Sequence, residues 1–273
     1  MIVNMHSLSF SNNKTAGLYY GDEIFTKLYR YFEHELLKFA LELKSIEQYY
    51  PTTIPRTVLK NFEVIDSFPQ HLTYATTNKQ KKDNSDYILS SAVCYHCYYN
   101  NIGAKFGPEI KCYTAQSSCF RYEGSRLAND PSRLWEFNMR EIIFFGSSEN
   151  CEMFKKLNID MISRFMDSIA LPFNIVPTTD IFFGDSNKQK KIYQKIKELK
   201  IELQVSMPDE EPIAIASINL HEQFFTNKMH LKDSPRLYSG CVAFGIERWA
   251  YTFLKNHGRN SGRWPEPLVK AIN

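Results

Sequence analysis

Beyond residue 86 the chain is dominated by short runs of aromatic and β-branched residues: Tyr87–Val93, Lys111–Tyr122, Phe137–Phe145, Phe173–Val176, Glu202–Val205 and Ile213–Asn219. Runs of that length and make-up predict strands. They follow one another too closely for a repeated βαβ order, so the sheet is expected to be antiparallel or mixed. Helical periods flank it. Ile24, Phe25, Leu28, Phe32, Leu36, Phe39 and Leu43 recur every three or four positions and predict one amphipathic helix from Asp22 to Ile46, ended by Pro51 and Pro55. Thr57–Val64 predicts a short extended or helical piece, and Ser148–Ile169, Lys188–Leu199 and Ala243–Asn256 predict further helices. The fold class expected is α+β, a mostly antiparallel sheet flanked by helices.

Size and composition narrow the function. A chain of 273 residues suits one large domain, and 43% apolar with 23% charged residues is ordinary for a globular protein. Twenty Phe and 16 Tyr promise a thick, ring-rich core, which excludes disorder and a disulfide-stapled miniprotein. A net charge of +3 is too small for a dedicated nucleic-acid binder, so a polyanion must meet a local patch. The opening residues lack the basic and apolar parts of a secretory leader, and no apolar run approaches the roughly 18 residues of a membrane span. A cytoplasmic protein is expected, its six cysteines reduced thiols or metal ligands.

Two segments could carry chemistry. In CFRYEGSRLANDPSRLWEFNMREIIFFG, residues 119–146, one strand carries Arg121 and Glu123 and a returning strand carries Arg133, Glu136, Phe137, Arg140 and Glu141. Strand alternation puts Arg121, Glu123, Arg133, Phe137 and Glu141 on one side. An arginine can grip a phosphate, a glutamate can accept from an exocyclic amine, and a phenylalanine can stack on a purine. The alternative is a surface hairpin laced with salt bridges. In SGCVAFGIERWAYTFL, residues 239–254, a run of small residues leads into a helix at Gly245, with Arg248 in its first turn. Gly245 would allow a phosphate or ring to approach closely, and Arg248 would supply charge.

Together these segments resemble motifs 2 and 3 of the class II aminoacyl-tRNA synthetases: Arg121, Glu123, Arg133 and Phe137 for the first, Ala243, Gly245 and Arg248 for the second. IPRTVLKNFEVIDSFPQHL, residues 54–72, is similar to the stretch joining motif 1 to the sheet in seryl-tRNA synthetases. With DIFFG at 180–184 and SINLH at 217–221, the combination most resembles the amino acid:[carrier protein] ligases, shortened relatives of the atypical archaeal seryl-tRNA synthetases. The likeness runs from about residue 20 to residue 258. It implies a single class II catalytic domain over residues 1–273, with an N-terminal segment and helix over 1–50 and an inserted partner-docking helix at about 186–200.

The resemblance implies ATP-dependent activation of a small amino acid, glycine or alanine favoured, to an aminoacyl adenylate. The acyl group would then pass to the phosphopantetheine thiol of an acyl or peptidyl carrier protein. A tRNA acceptor is not expected, because 273 residues leave no room for a tRNA-binding domain. Arg121 and Arg248 would be catalytic, stabilising charge on the phosphates. Glu123, Arg133, Phe137, Asn219 and Gly245 would complete the ATP site. Lys200, Glu202 and Ser217 would face the amino acid, although an edge-strand charge is the alternative for Glu202. Zn²⁺ held by Cys94, Glu141 and Cys241 would grip the substrate amino group, and Mg²⁺ would accompany ATP. The local cluster Cys94, His96 and Cys97 is the alternative metal site, while Cys97, Cys112, Cys119 and Cys151 are expected to be buried thiols. His221 is expected to be a hydrogen-bonded histidine and not a catalyst. Lys188, Lys191 and Lys195 would dock the acidic carrier, against the alternative of a solvated lysine face. A homodimer is expected by likeness. Two departures stand out: Ala243 replaces the first motif 3 glycine, and residues 213–218 offer no carboxylate for Mg²⁺.

Overall fold

The computed structural model describes residues 17–18, 20–78, 85–124, 127, 132–180, 188–231 and 236–272, the side chains of 188–191 and 272 excepted. Helix α1 (Glu23–Glu42) starts at Asp22, whose carboxylate accepts from the Phe25 N–H at 3.0 Å. Phe25, Leu28, Phe32, Leu36 and Ala40 form its buried stripe. The helix stops short of Ile46. Lys44 takes φ 57°, the Ser45 N–H donates to Ala40 O at 3.1 Å and the Lys44 N–H to Leu41 O at 2.9 Å. These bonds satisfy the last carbonyls and release Ile46 into a strand.

That strand is β1 (Ile46–Glu47), followed by β2 (Thr53–Pro55), α2 (Arg56–Asn61), α3 (Val64–Ser67), β3 (Thr73–Ala75), β4 (Tyr87–Leu89) and α4 (Cys94–Asn100). The hairpin β5 (Lys111–Phe120) and β6 (Glu136–Gly146) leads to α5 (Ser148–Ser168) and β7 (Phe173–Pro177). The chain continues through α6 (Lys188–Ile196), β8 (Lys200–Met207), β9 (Glu210–Glu222), β10 (Tyr238–Gly245), α7 (Ile246–His257) and α8 (Glu266–Ile272). Seven strands form one sheet in the order β1-β5-β6-β10-β9-β8-β7. Only the β1–β5 pair in it is parallel. A second sheet has the order β2-β4-β3.

Each face of the large sheet has its own core. One is filled by α1, α5 and α7, with Phe32, Phe144, Phe244, Trp249 and Phe253 fully buried. The other packs against α2, α4 and the small sheet through Ile54, Phe62, Tyr98, Ile143 and Phe145. Among the described residues no helix is long and apolar enough to cross a membrane.

Three expectations are corrected. The run Tyr87–Val93 is a strand only to Leu89. Ser90 turns its hydroxyl onto Ala92 O at 2.7 Å, a local bond that competes with the ladder, and a short helix begins at Cys94. Ala243, Phe244 and Gly245 end β10 and do not open the following helix, because their backbone pairs with Met139–Glu141. Helix α6 ends at Ile196, not Leu199: Glu198 at φ 47° reverses the chain, and the Leu199 N–H returns to Gln194 O at 3.0 Å.

Candidate active site

Strand register assembles the site on the α4 side of the large sheet. Glu202 pairs with Ser217, Ser217 with Ala243 and Ala243 with Glu141, making one row across β8, β9, β10 and β6. The next row runs Lys200, Asn219, Cys241. Strands lie about 4.8 Å apart, so Glu202 and Glu141 stand roughly 14 Å from one another along their row. That span separates two functional zones.

The first zone is a buried cluster of donors. The sulfurs of Cys94 and Cys241 and a carboxylate oxygen of Glu141 all lie within 4.8 Å of one another, although 47 and 100 residues separate them in the chain. Glu141 is 1% exposed; its Oε1 accepts from the Val93 N–H at 3.0 Å, and among the described residues its Oε2 meets no oxygen or nitrogen donor, only the neighbouring thiols. Burial, reinforced by Cys241, pushes its carboxyl up to about 8. Cys94 donates toward Cys241, which holds the Cys94 thiol well above its usual range and lets Cys241 titrate well below it. Two sulfurs and a buried carboxylate fit a divalent cation of the zinc type. His96 and Cys97 do not join the cluster. The His96 ring stacks on Tyr50 with centroids 5.6 Å apart, and Cys97 accepts from Asn101. The four remaining cysteines are all buried thiols.

The second zone is a cleft lined by Arg121, Glu123, Arg133, Phe137, Lys200, Glu202, Ser217, Ala243, Gly245, Glu247 and Arg248. Arg121 lies just past the end of β5, where its Nε donates to Ser91 O at 2.9 Å and its guanidinium sits 5.3 Å from the Phe137 ring centre. Glu123 accepts a hydrogen bond from Arg133. Arg248 is braced by Ser132 O at 3.0 Å and Ala214 O at 2.9 Å. A side chain at Gly245 would meet only Arg248 carbons at 3.7 Å or more, so packing leaves its backbone approachable. Ala243 sits between Ser217 and Glu141, where its methyl separates cleft from donor cluster.

Two further residues were not expected in the site: Glu247, which lines the cleft, and Asp180, the first residue of DIFFG, which pairs with the cleft residue Lys200. Glu247 accepts the Asn138 N–H at 2.9 Å and Asn138 Nδ2–H at 2.9 Å, tying helix α7 to the start of β6. Asp180 accepts from Lys200 Nζ at 2.6 Å and from Gln194 Nε2 at 2.8 Å, and Glu202 lies 3.4 Å from the same ammonium. Burial alone would raise the Asp180 carboxyl; Lys200 overrides it and holds the group below its usual value. The same pairing overrides burial at Lys200 and raises it. Only the opposite charge two elements away identifies these residues, and that proximity is not written in sequence spacing.

Other expected positions fall elsewhere. Asn219 is outside the cleft lining and donates to Ser217 Oγ at 3.2 Å and Cys241 Sγ at 3.6 Å. Lys195 is exposed on α6; the side chains of Lys188 and Lys191 lie outside the described residues, as do 181–184 of DIFFG. Helix α6 also exposes Ile192, Tyr193 and Ile196, and it is tied down through Tyr193 OH to Glu222 at 2.8 Å.

This sheet and the helices on it have the fold of the class II aminoacyl-tRNA synthetase catalytic core. A Methanopyrus kandleri seryl-tRNA synthetase, solved with an A. aeolicus tRNASec, superposes with a TM-score of 0.85 at 18% identity, over 96% of this chain and 57% of the other. A cytoplasmic serine-tRNA ligase of Naegleria fowleri in complex with AMP superposes at 0.77 and 15% identity, over 94% of this chain and 54% of that one. By sequence the chain is similar to amino acid--[acyl-carrier-protein] ligases 1 and 2 of Bradyrhizobium diazoefficiens, 32% and 33% identical over 187 residues, 66% of this chain and 56% and 54% of theirs. It is also 24% identical over 208 residues, 71% of this chain and 39% of its relative, to a type-2 serine--tRNA ligase of Methanopyrus kandleri. The chain thus spans about half the length of the ligases it matches. No protein-family model matches it.

Proposed function

We propose that the chain activates an amino acid with ATP and hands it to the phosphopantetheine thiol of a carrier protein. The observation that carries this is the joining, in one register, of the Arg121–Phe137–Arg248 cleft to the Cys94–Glu141–Cys241 cluster. ATP would lie along the cleft with its adenine on Phe137 and Glu123 accepting from the exocyclic amine, and Mg²⁺ would accompany it to offset phosphate charge. Arg121 and Arg248 would stabilise the charge that grows on the phosphates, with Arg133 and Gly245 lining their path. The substrate carboxylate oxygen attacks the α-phosphorus as the bond to pyrophosphate breaks. In the second half the carrier thiol loses its proton as sulfur bonds to the acyl carbon, and AMP departs.

Cys94, Glu141 and Cys241 would hold Zn²⁺, and three protein ligands leave one position for the substrate amino group. When bound, the ion orients that amine as a Lewis acid. Lys200, Glu202 and Ser217 would face the amino acid from the cleft, and a small amino acid, glycine or alanine, is proposed on the family resemblance. The carrier is proposed to dock on α6, where Ile192 and Ile196 lie beside Lys195. A homodimer is proposed through the β1 edge, where Ile46 and Tyr49 are exposed.

The test is amino-acid-dependent ATP–pyrophosphate exchange across the standard amino acids, followed by mass analysis of a phosphopantetheinylated carrier protein and of tRNA incubated with the enzyme. Exchange with glycine or alanine and a carrier gaining the aminoacyl mass support the proposal. Exchange followed by acylation of tRNA alone moves the acceptor to tRNA, as in the named serine--tRNA ligases. Absence of exchange with every amino acid removes the enzymatic function.

A further inference from the structure

The two sulfurs of the donor cluster are not treated alike. Cys241 receives two side chains from the neighbouring strand β9, Asn219 Nδ2 at 3.6 Å and His221 Nε2 at 3.8 Å. These residues sit two apart on one strand face, so both reach the same atom. The other ring nitrogen of His221, Nδ1, lies 2.7 Å from the Tyr98 hydroxyl. Tyr98 is fully buried and stacked on Phe225 at 4.4 Å, and the His221 ring stands edge-on to that same Phe225 at 4.9 Å. Cys94 and Tyr98 are one turn apart on α4, so a single helix supplies a donor sulfur and the anchor of the histidine.

With a metal held by Cys94, Glu141 and Cys241, Cys241 is a thiolate with no proton to give, so the contact from His221 is one that Nε2–H donates. A buried phenol keeps its proton at neutral pH, so Tyr98 donates to Nδ1. An Nε2 that carries a proton has no lone pair for a metal. Consistently, His221 is outside the set of groups that converge within 4.8 Å.

We infer that His221, locked by Tyr98, is a positioning residue that donates to Cys241 and keeps the fourth metal position free for substrate. The inference rests on Cys94, Glu141 and Cys241 binding a metal. Its effect is to draw charge from one sulfur and hold that sulfur in place, the role outer hydrogen bonds play around metal ligands.

The experiment strips the full-length chain with a chelator and titrates it with Co²⁺, reading affinity and the thiolate-to-cobalt charge-transfer band. H221F should weaken Co²⁺ by about 10–100-fold and move the band to longer wavelength, since an unbonded thiolate gives up electrons more readily. H221Q, whose amide can still donate, should recover most of both. Y98F should weaken Co²⁺ less than H221F and shift the band in the same direction, and it decides the matter if H221F does not fold. Wild-type affinity and an unmoved band in H221F, or in Y98F where H221F does not fold, overturn the inference. So does a change of the cobalt d–d spectrum showing that H221F has lost a nitrogen ligand. A wild-type chain that takes up Co²⁺ no better than C94S or C241S removes the metal site itself, and the inference with it.

Discussion

Arg140 and Glu141 are consecutive residues of β6, both nearly sealed from water at 3% and 1% exposure, and the protein treats them in opposite ways. Strand alternation turns Arg140 to the face covered by α1. There its guanidinium meets Glu33 at 2.5 Å, Glu47 at 3.3 Å and Thr114 Oγ1 at 3.3 Å. Glu141 turns to the other face, where it accepts one backbone N–H and otherwise faces two thiols. A buried charge that the chain neutralises itself is part of the scaffold. Glu141, whose carboxyl burial raises to about 8, is instead set against two thiols, and the proposed metal site rests on that arrangement.

The contrast can be broken from either side. Glu141→Gln should remove metal binding and lower amino-acid-dependent exchange by about 10²–10³-fold, the scale of losing one preorganised electrostatic group. Its metal-free form should melt no lower than wild type, since an unpaired carboxylate has been replaced by a neutral amide. Metal analysis, exchange and calorimetry on one preparation check this; an intact metal content would remove Glu141 from the ligand set. Arg140→Met should do the reverse. Breaking a buried ion pair costs about 3 kcal/mol, or a fall in Tm of roughly 6–12 °C for a chain of this size, while exchange per folded molecule stays within about twofold.

Between these extremes lies the Asp180–Lys200 pair at the cleft edge, partly open to solvent. Its carboxyl titrates below the ordinary 3.8, so the unfolded chain takes up a proton first as pH falls. The contribution is therefore complete above pH 3.8 and is lost as pH falls below it. Asp180→Asn should flatten that acid limb of a stability-against-pH curve and change neutral-pH stability by about 1 kcal/mol. An unchanged acid limb would show that the pair does not contribute. The smallest effect is expected farthest from the buried charges: Lys195→Glu should slow transfer to the carrier a few-fold and leave exchange unchanged. Equal slowing of both steps would remove α6 as the docking element.

Legibility followed the range of the interaction. The stripe Phe25, Leu28, Phe32, Leu36 and Ala40 is helical by its own period, so α1 was visible while its end was not. That end depends on Lys44 entering a left-handed turn, which no apolar pattern marks. The strand residues were legible for the same reason, but the run Tyr87–Val93 overran its strand, which ends at Leu89, and the helix from Cys94 went unmarked because Tyr, Cys and His at 94–99 suit either state. Within the site, Arg121, Glu123, Phe137 and Arg248 stood out because their spacing matched motifs. Glu247 and Tyr98 did not, and Asp180 was marked only as the opening residue of DIFFG with its pairing to Lys200 unseen, since each acts through a partner on another element.

By itself the sequence determined that this chain is α+β, that its sheet is mostly antiparallel, and that its arginine, glutamate and phenylalanine spacing is that of a class II core. All of these are local patterns, set by alternation, helical period and motif spacing. Only the tertiary structure decided that Cys94, Glu141 and Cys241 converge, that Arg140 is neutralised while its neighbour is not, and that His221 reaches Cys241 from one side and Tyr98 from the other. Those facts depend on register between strands and on one short helix laid over the sheet; a single-residue slip would turn the strand side chains to the opposite face and the helix side chains by about 100°.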